Sequence, residues 1–345
     1  MRREIAQIPG TVDRVLASSA DEMRSVADAI RRARPRWIMI AGRGTSDHAA
    51  VYAQYLFETH LGLPTGLVKP SVTTVYGAQV AWGDGLVVAI SQSGRSPDVV
   101  AVISAARDAG ALTVAITNEP RSPLAAAAAW NLRCHAGREL AVPATKTYVA
   151  ELAVVAALVA ALRPTRELGD GLAAVPDAIR SALNRAHAWL EGPGDEAVAD
   201  FAAADRALLV SRGFNLATAL ELALKLKETC GLFAEAYSTA DFAHGPRVLA
   251  RPGVPTLAIR PDGAMGAAVD ATLTGVAARG GNATIIGGAE AATIPGALAL
   301  PSELPESLTP LLFVVPGQML VEATALRRGL SPDAPVGLGK VTLTR

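Results

Sequence analysis

The strongest constraint on this chain is a recurring unit: a short apolar run that ends in Gly, Ser or Arg-Gly and passes into an Ala- and Leu-rich helical stretch. A run of four or five apolar residues is too short for a helix, and its repetition between helices predicts parallel strands joined by crossover helices. Two sets of candidate strands follow, 37–40, 86–90, 112–116 and 131–134, then 207–210, 256–259, 283–286 and 297–300. Each set suits one open, doubly wound α/β sheet. Residues 37–56 also lie in register over residues 207–226, both running strand, Arg-Gly and amphipathic helix, which points to internal duplication.

Between the halves, residues 163–196 carry Pro164, Pro176 and Gly192-Pro193-Gly194 around a helical middle. The expected division is an N-terminal segment (1–20), a first domain (21–165), a linker region (166–195), a second domain (196–330) and an irregular C-terminal tail (331–345). With 345 residues, 50% of them hydrophobic, the chain has apolar material for two cores.

Thirty-two basic residues balance thirty-two acidic ones, and aromatics make up 4%. Neither a basic field nor a stacking platform is present, so no nucleic-acid partner and no membrane partner are expected. The N-terminus lacks a signal-like apolar stretch, and the run 150–162 is too short for a bilayer and contains Glu151, so it reads as a buried helix. A soluble, cytoplasmic protein is expected. Cys134 and Cys230 lie far apart and form neither a disulfide framework nor a zinc pattern, so no metal is expected.

In an open parallel sheet, ligands sit at the carboxyl ends of the strands. Two hydroxyl-rich loops fall there: Gly42-Arg43-Gly44-Thr45-Ser46-Asp47-His48 after the first strand and Ser91-Gln92-Ser93-Gly94-Arg95-Ser96 after the next. Either loop alone suits an ordinary helix N-cap. Together their neutral donors suit a sugar phosphate that must be released again, and the absence of a Walker motif or a G-x-G-x-x-G fingerprint argues against ATP and NAD.

The stretch 221–228 consists of strong helix formers, and Glu221, Lys225 and Glu228 share an arc of roughly 60° on one face. A solvated ion-pair face is the plain reading of such a pattern. Here Leu222, Leu224 and Leu226 leave little of the helix for water. Further on, His244 sits in the turn-prone Asp241-Phe242-Ala243-His244-Gly245-Pro246. Isomerising an open-chain sugar requires a carboxylate base and a group that opens the ring, roles that Glu228 and His244 can supply.

Taken in order, GRGTSDHA (42–49), SQSGRSPD (91–98), GRELAVPATKTYVAELA (137–153), LELALKLKETCGLFAEAY (220–237), HGP (244–246) and GLGKVTLT (337–344) resemble the sugar isomerase (SIS) domain family. The likeness is greatest to the double-SIS isomerase portion of glucosamine-6-phosphate synthase and to stand-alone glucosamine-6-phosphate deaminases. It spans nearly the whole chain and implies two tandem SIS domains, each a flavodoxin-like three-layer α/β/α unit with a parallel open sheet.

The resemblance implies that Thr45, Ser46, Ser91, Gln92, Ser93 and Ser96 hold the phosphate and nearby hydroxyls, with the Val142 backbone beside the sugar. It makes Glu228 the base between C1 and C2, with Glu221 and Lys225 orienting substrate and base. His244 would help open the ring from the partner subunit of a homodimer, and Lys340 matches a tail lysine that can form an imine or steady the open chain. The given residues include no glutaminase portion, which favours the ammonia-releasing direction, glucosamine 6-phosphate to fructose 6-phosphate plus ammonia, with no cofactor. Arg95 and Ser96-Pro97 resemble the deaminases, whereas Ala243 stands where a basic residue is common. Alternatives are another hexosamine or a fructosamine 6-phosphate as substrate, or a non-catalytic sugar-phosphate sensor.

Overall fold

The computed structural model describes residues 1–340, and among them lie ten strands in two five-stranded, fully parallel sheets. The chain divides into two compact units, one of Gly10–Glu139, Lys146–Ala173 and the chain end from Gly339, the other of Met1–Pro9, Leu140–Thr145 and Ala174–Leu338.

In the first unit, β1 (Ile38–Ala41), β2 (Thr65–Leu67), β3 (Leu86–Ile90), β4 (Leu112–Thr117) and β5 (Trp130–Arg133) are ordered β2-β1-β3-β4-β5. Val88 pairs with Ile40 on one side and Val114 on the other, and every residue of β3 is buried. Such burial on both faces is why this strand reads as a continuous apolar run. The chain reverses direction of winding between β1 and β3, and a doubly wound sheet opens its ligand crevice at that point, beyond the carboxyl ends.

The second unit repeats the plan. Its strands β6 (Arg206–Ser211), β7 (Phe233–Ser238), β8 (Thr256–Arg260), β9 (Ala283–Gly287) and β10 (Leu298–Ala299) run β10-β9-β8-β6-β7, the same winding read from the opposite edge. The duplication extends to local detail. Helix Thr45–Leu61 follows β1 and ends at Gly62 with φ +67°; helix Leu216–Cys230 follows β6 and ends at Gly231 with φ +66°. Both glycines take the left-handed cap conformation that lets the chain turn directly into an edge strand.

The eight expected strands are all present. The two missed, β2 and β7, are the edge strands that follow those caps. Thr65-Gly66-Leu67 is three residues long, and Phe233 of β7 is 79% exposed, so neither shows the buried apolar run that marks the central strands.

The division between units differs from the one expected around 166–195. Residues Arg166–Leu190 form one continuous helix despite Pro176, with Leu168, Leu172, Val175, Ile179, Ala182 and Ala186 buried at spacings of four and three. That apolar stripe sustains the helix through the missing proline N–H. Residues 1–9 and 140–145 group with the second unit: Arg2 pairs with Glu322, Val142 N–H donates to the Asp333 carbonyl, and the Glu4 carboxylate accepts from the N–H groups of Leu140 and Ala141.

The run 150–162 lies in helix Lys146–Leu162, which is buried along most of its length, as expected. Among the described residues one helix, Glu306–Arg327, is long and apolar enough to cross a membrane; 94% of its apolar window is buried inside the protein. It packs on helix Leu216–Cys230 so closely that a Cβ on Gly317 would lie 2.3 Å from Leu222 Cδ1.

Candidate active site

The first unit gathers polar groups at the carboxyl ends of β1, β3, β4 and β5. After β1 the chain turns through Gly42, where a Cβ would stand 2.6 Å from the Ser46 carbonyl oxygen, and enters its helix at Thr45. Arg43 is held by the buried Asp98 at 2.7 Å, which ties this loop to the start of helix Pro97–Asp108. Thr45 and Ser96 therefore stand at the first turns of neighbouring helices, where backbone dipoles favour an anion.

The loop after β3 is a tight, internally bonded turn. Gly94 N–H donates to Ser91 Oγ at 3.2 Å and Arg95 N–H donates to Ser93 Oγ at 3.3 Å, so both hydroxyls act as acceptors here and keep their protons for a further partner. Gly94 has φ +59°, and a Cβ there would fall 2.1 Å from Ser122 Oγ, which explains glycine at this turn. Thr117 Oγ1 and Asn118 N–H, at the end of β4, both donate to the Gln92 carbonyl. Ser96 caps the following helix by position without a side-chain bond.

Ser46, expected at the phosphate, is engaged within the protein. Its buried hydroxyl donates to Glu151 Oε1 at 2.8 Å, and its N–H donates to the Arg43 carbonyl at 3.1 Å. Glu151 is 1% exposed in an apolar helix, so it requires a donor more strongly than an exposed anion would.

Gln92, Ser93 and Lys340 line one cavity of about 720 Å³, together with Asn118, Glu119, His135, Glu139 and four arginines. Lys340 Nζ donates to Glu139 Oε2 at 2.7 Å, and Thr147 Oγ1 donates to the same oxygen at 2.6 Å. The Glu139 side chain is fully buried and that of Lys340 is 26% exposed. A lysine at the tail is thus anchored from below while its ammonium still meets the cavity. Glu139, Thr147 and Asn118 were not singled out from sequence; the available signal was that Glu139 is one of only two carboxylates inside the segment 137–153.

The other expected catalytic residues belong to the second unit. On helix Leu216–Cys230, Lys225 Nζ donates to Glu228 Oε2 at 2.5 Å and lies 3.4 Å from Glu221 Oε1. The side chains of Glu221 and Lys225 are 0% and 1% exposed, and that of Glu228 is 24% exposed. Burial lowers the Lys225 pKa, but Glu221 and then Glu228 raise it by more, so the ammonium form is favoured. The buried end of the triad is neutralised internally, and Glu228 is its one member that reaches solvent.

His244 closes the short helix Thr239–Ala243 and is exposed. Val142 donates its N–H to the Asp333 carbonyl at 2.8 Å, which leaves its own carbonyl as the backbone group for a ligand. Lys340 is the last described residue of the tail segment 337–344; positions 341–344 lie outside the described residues.

The corresponding strand end of the second unit is built differently. After β8, Arg260 is clasped by Asp270 through two bonds of 2.8 Å, by Glu290 at 3.1 Å and by Asp262 at 3.6 Å. Asp262 in turn accepts from the N–H groups of Ala289 and Glu290. Where the first unit offers hydroxyls, its duplicate carries three carboxylates around one guanidinium.

The SIS domain family model matches residues 31–161. Over 99% of its length the chain is 34% identical to the glutamine–fructose-6-phosphate aminotransferase [isomerizing] of Methanothermobacter thermautotrophicus and 32% identical to that of Thermococcus kodakarensis. It spans 56% and 57% of those proteins, about half the length of the curated relatives it matches. A structure assigned as a phosphosugar isomerase from Silicibacter pomeroyi DSS-3 superposes with a TM-score of 0.86 at 36% identity, covering 96% of this chain and 99% of that one. The C-terminal domain of glucosamine-fructose-6-phosphate aminotransferase from Francisella tularensis gives 0.85 at 25% identity, covering 97% and 98%. With a duplicated SIS fold, a hydroxyl-rich loop pair and a relative matched end to end, the chain belongs to the SIS domain family of phosphosugar isomerases.

Proposed function

We propose that this protein isomerises an amino sugar phosphate and releases its nitrogen, converting glucosamine 6-phosphate and water to fructose 6-phosphate and ammonia. The observation that carries this reading is the Glu221–Lys225–Glu228 triad: a carboxylate fixed at 2.5 Å by a buried ammonium, yet still accessible. A fixed, solvent-reaching carboxylate is what proton transfer between adjacent carbons requires.

In this mechanism the Thr45, Ser91, Ser93 and Ser96 positions hold the phosphate through hydroxyls and helix N-termini, and the Gln92 side chain and Val142 carbonyl meet sugar hydroxyls. His244, supplied by the second copy of a homodimer, assists ring opening. Glu228 takes the proton from C2 of the open aldose, giving an enolamine, and returns it to C1, which leaves a ketimine at C2. Water adds to that carbon, ammonia departs, and the ketose phosphate remains. Lys340, anchored by Glu139, steadies the developing negative charge on the open chain.

Cys134 and Cys230 are both buried. Burial pushes Cys134 well above the ordinary thiol range, with Glu151 and Glu139 adding to the effect, and pushes Cys230 up to about 11 against the opposing influence of Thr229 and Arg328. Neither is a thiolate suited to nucleophilic attack. The test is to incubate the protein with glucosamine 6-phosphate and measure ammonia and fructose 6-phosphate together. Equal amounts of both are expected, and absence of both products would reject the reading.

A further inference from the structure

The cavity at Gln92 and Ser93 holds more positive charge than its carboxylates balance. Arg14, Arg95, Arg133, Arg138 and Lys340 face Glu119 and Glu139, and Glu139 is already bound by Lys340. Among the described residues, Arg95, Arg133 and Arg138 have no carboxylate within ion-pair distance, and Arg14 bonds only the His135 carbonyl and Thr11 Oγ1. Elsewhere in the protein the guanidiniums of Arg43 and Arg260 are matched by buried or clustered acids.

Two of the residues that line the cavity sharpen the point. Arg133 Nε and His135 Nε2 are buried and have no hydrogen-bond partner among the described residues. Such groups are normally satisfied, so two of them on residues that line a cavity mark a place for a further hydrogen-bond partner. His135 also takes φ +46°, a left-handed conformation uncommon for a residue with a side chain. Burial, and then Arg133 and Arg14, lower the His135 pKa against the opposing effect of Glu22, as expected beside uncompensated cations.

We propose that the sugar phosphate pocket continues into a second anion subsite, built by Arg133, His135 and Arg138, that takes a further anionic group on the ligand, a carboxylate or another phosphate. The link to the sugar site is direct, because Gln92 and Ser93, on the loop assigned to the phosphate, share the same cavity wall. The inference rests on the sugar-phosphate reading and adds a ligand class beyond glucosamine 6-phosphate, which has no second anionic group: sugar phosphates that also carry a carboxylate or a second phosphate. Guanidinium pairs suit such groups through bidentate bonds.

Isothermal titration calorimetry with 6-phosphogluconate and glucitol 6-phosphate tests this, since both carry the C6 phosphate and only the first adds a carboxylate. The unmodified protein should bind 6-phosphogluconate about tenfold or more tightly than glucitol 6-phosphate. Arg133→Gln with Arg138→Gln should abolish that preference and leave glucitol 6-phosphate affinity unchanged; Arg138→Gln alone, at an exposed position, should reduce it. Equal binding of the two ligands by the unmodified protein, or an equal loss for both in the variants, would overturn the subsite. Failure of the unmodified protein to bind either would overturn the sugar-phosphate reading and the subsite with it.

Discussion

Lys225 and Glu228 form the shortest ion pair on helix Leu216–Cys230, with Nζ donating to Oε2 at 2.5 Å from a lysine that is itself buried. A carboxylate in that position is fixed in orientation without being withdrawn from solvent. Replacing Glu228 with Gln keeps the shape and removes the base. Turnover of glucosamine 6-phosphate should fall by about 10²- to 10⁴-fold, with affinity for fructose 6-phosphate changed by only a few-fold. Steady-state kinetics and calorimetry on the same preparation check both halves, and retained turnover would show that another group is the base.

Lys225 also holds Glu221 in the interior. Lys225→Met leaves that buried carboxylate without its cation, and the loss of stability should be about 3–5 kcal/mol, read from urea midpoints. The sign of the pH dependence follows from the raised pKa. The folded protein binds this proton more tightly than the unfolded chain, so the contribution is complete below the ordinary lysine value of 10.5 and is lost as pH rises through the higher folded value. The stability difference between unmodified protein and Lys225→Met should therefore shrink above about pH 10.5, and growth of the difference there would contradict the assignment.

Ser46 and the pair Ser91 and Ser93 separate structural from ligand-binding hydroxyls. Ser46→Ala removes the donor to Glu151 and should cost about 1–3 kcal/mol of stability while leaving fructose 6-phosphate affinity within a few-fold. Ser91→Ala with Ser93→Ala should weaken that affinity by about tenfold or more and shift stability less. Reversal of the two patterns would return Ser46 to the phosphate site and remove the other two.

Much of this was legible in the residues themselves. Leu86–Ile90 is read correctly because a central parallel strand is buried on both faces and so carries five apolar residues in a row. Thr65–Leu67 has no such signature: it lies at an edge, holds a glycine and pairs on one side only. The triad on helix Leu216–Cys230 was visible because helical spacing alone brings positions 221, 225 and 228 together. Ser46 was expected to face a ligand because a hydroxyl beside a glycine-rich turn looks the same whether it faces a ligand or a buried acid. Its partner Glu151 is 105 residues away, and only the fold brings them into contact.

Gly317 controls how closely helix Thr309–Arg327 approaches the helix that carries the triad. Gly317→Ala places a methyl against Leu222 and should destabilise the protein by about 1–3 kcal/mol, measured as a fall in Tm. Adding Leu222→Ala should recover part of that loss, because the two changes share one space. Strict additivity of the two effects would show that they do not meet.

The acidic clasp on Arg260 bears on how many molecules one polypeptide can hold. A repeated fold has two equivalent crevices, and a saturation experiment on such a chain could in principle reach two equivalents. Three carboxylates around a single guanidinium make the second crevice electronegative and repel a phosphate ester. Under the proposed function, duplication has separated the labour of the halves, with the anion site in one copy and the acid-base helix in the other, and titration should saturate at one sugar phosphate per chain.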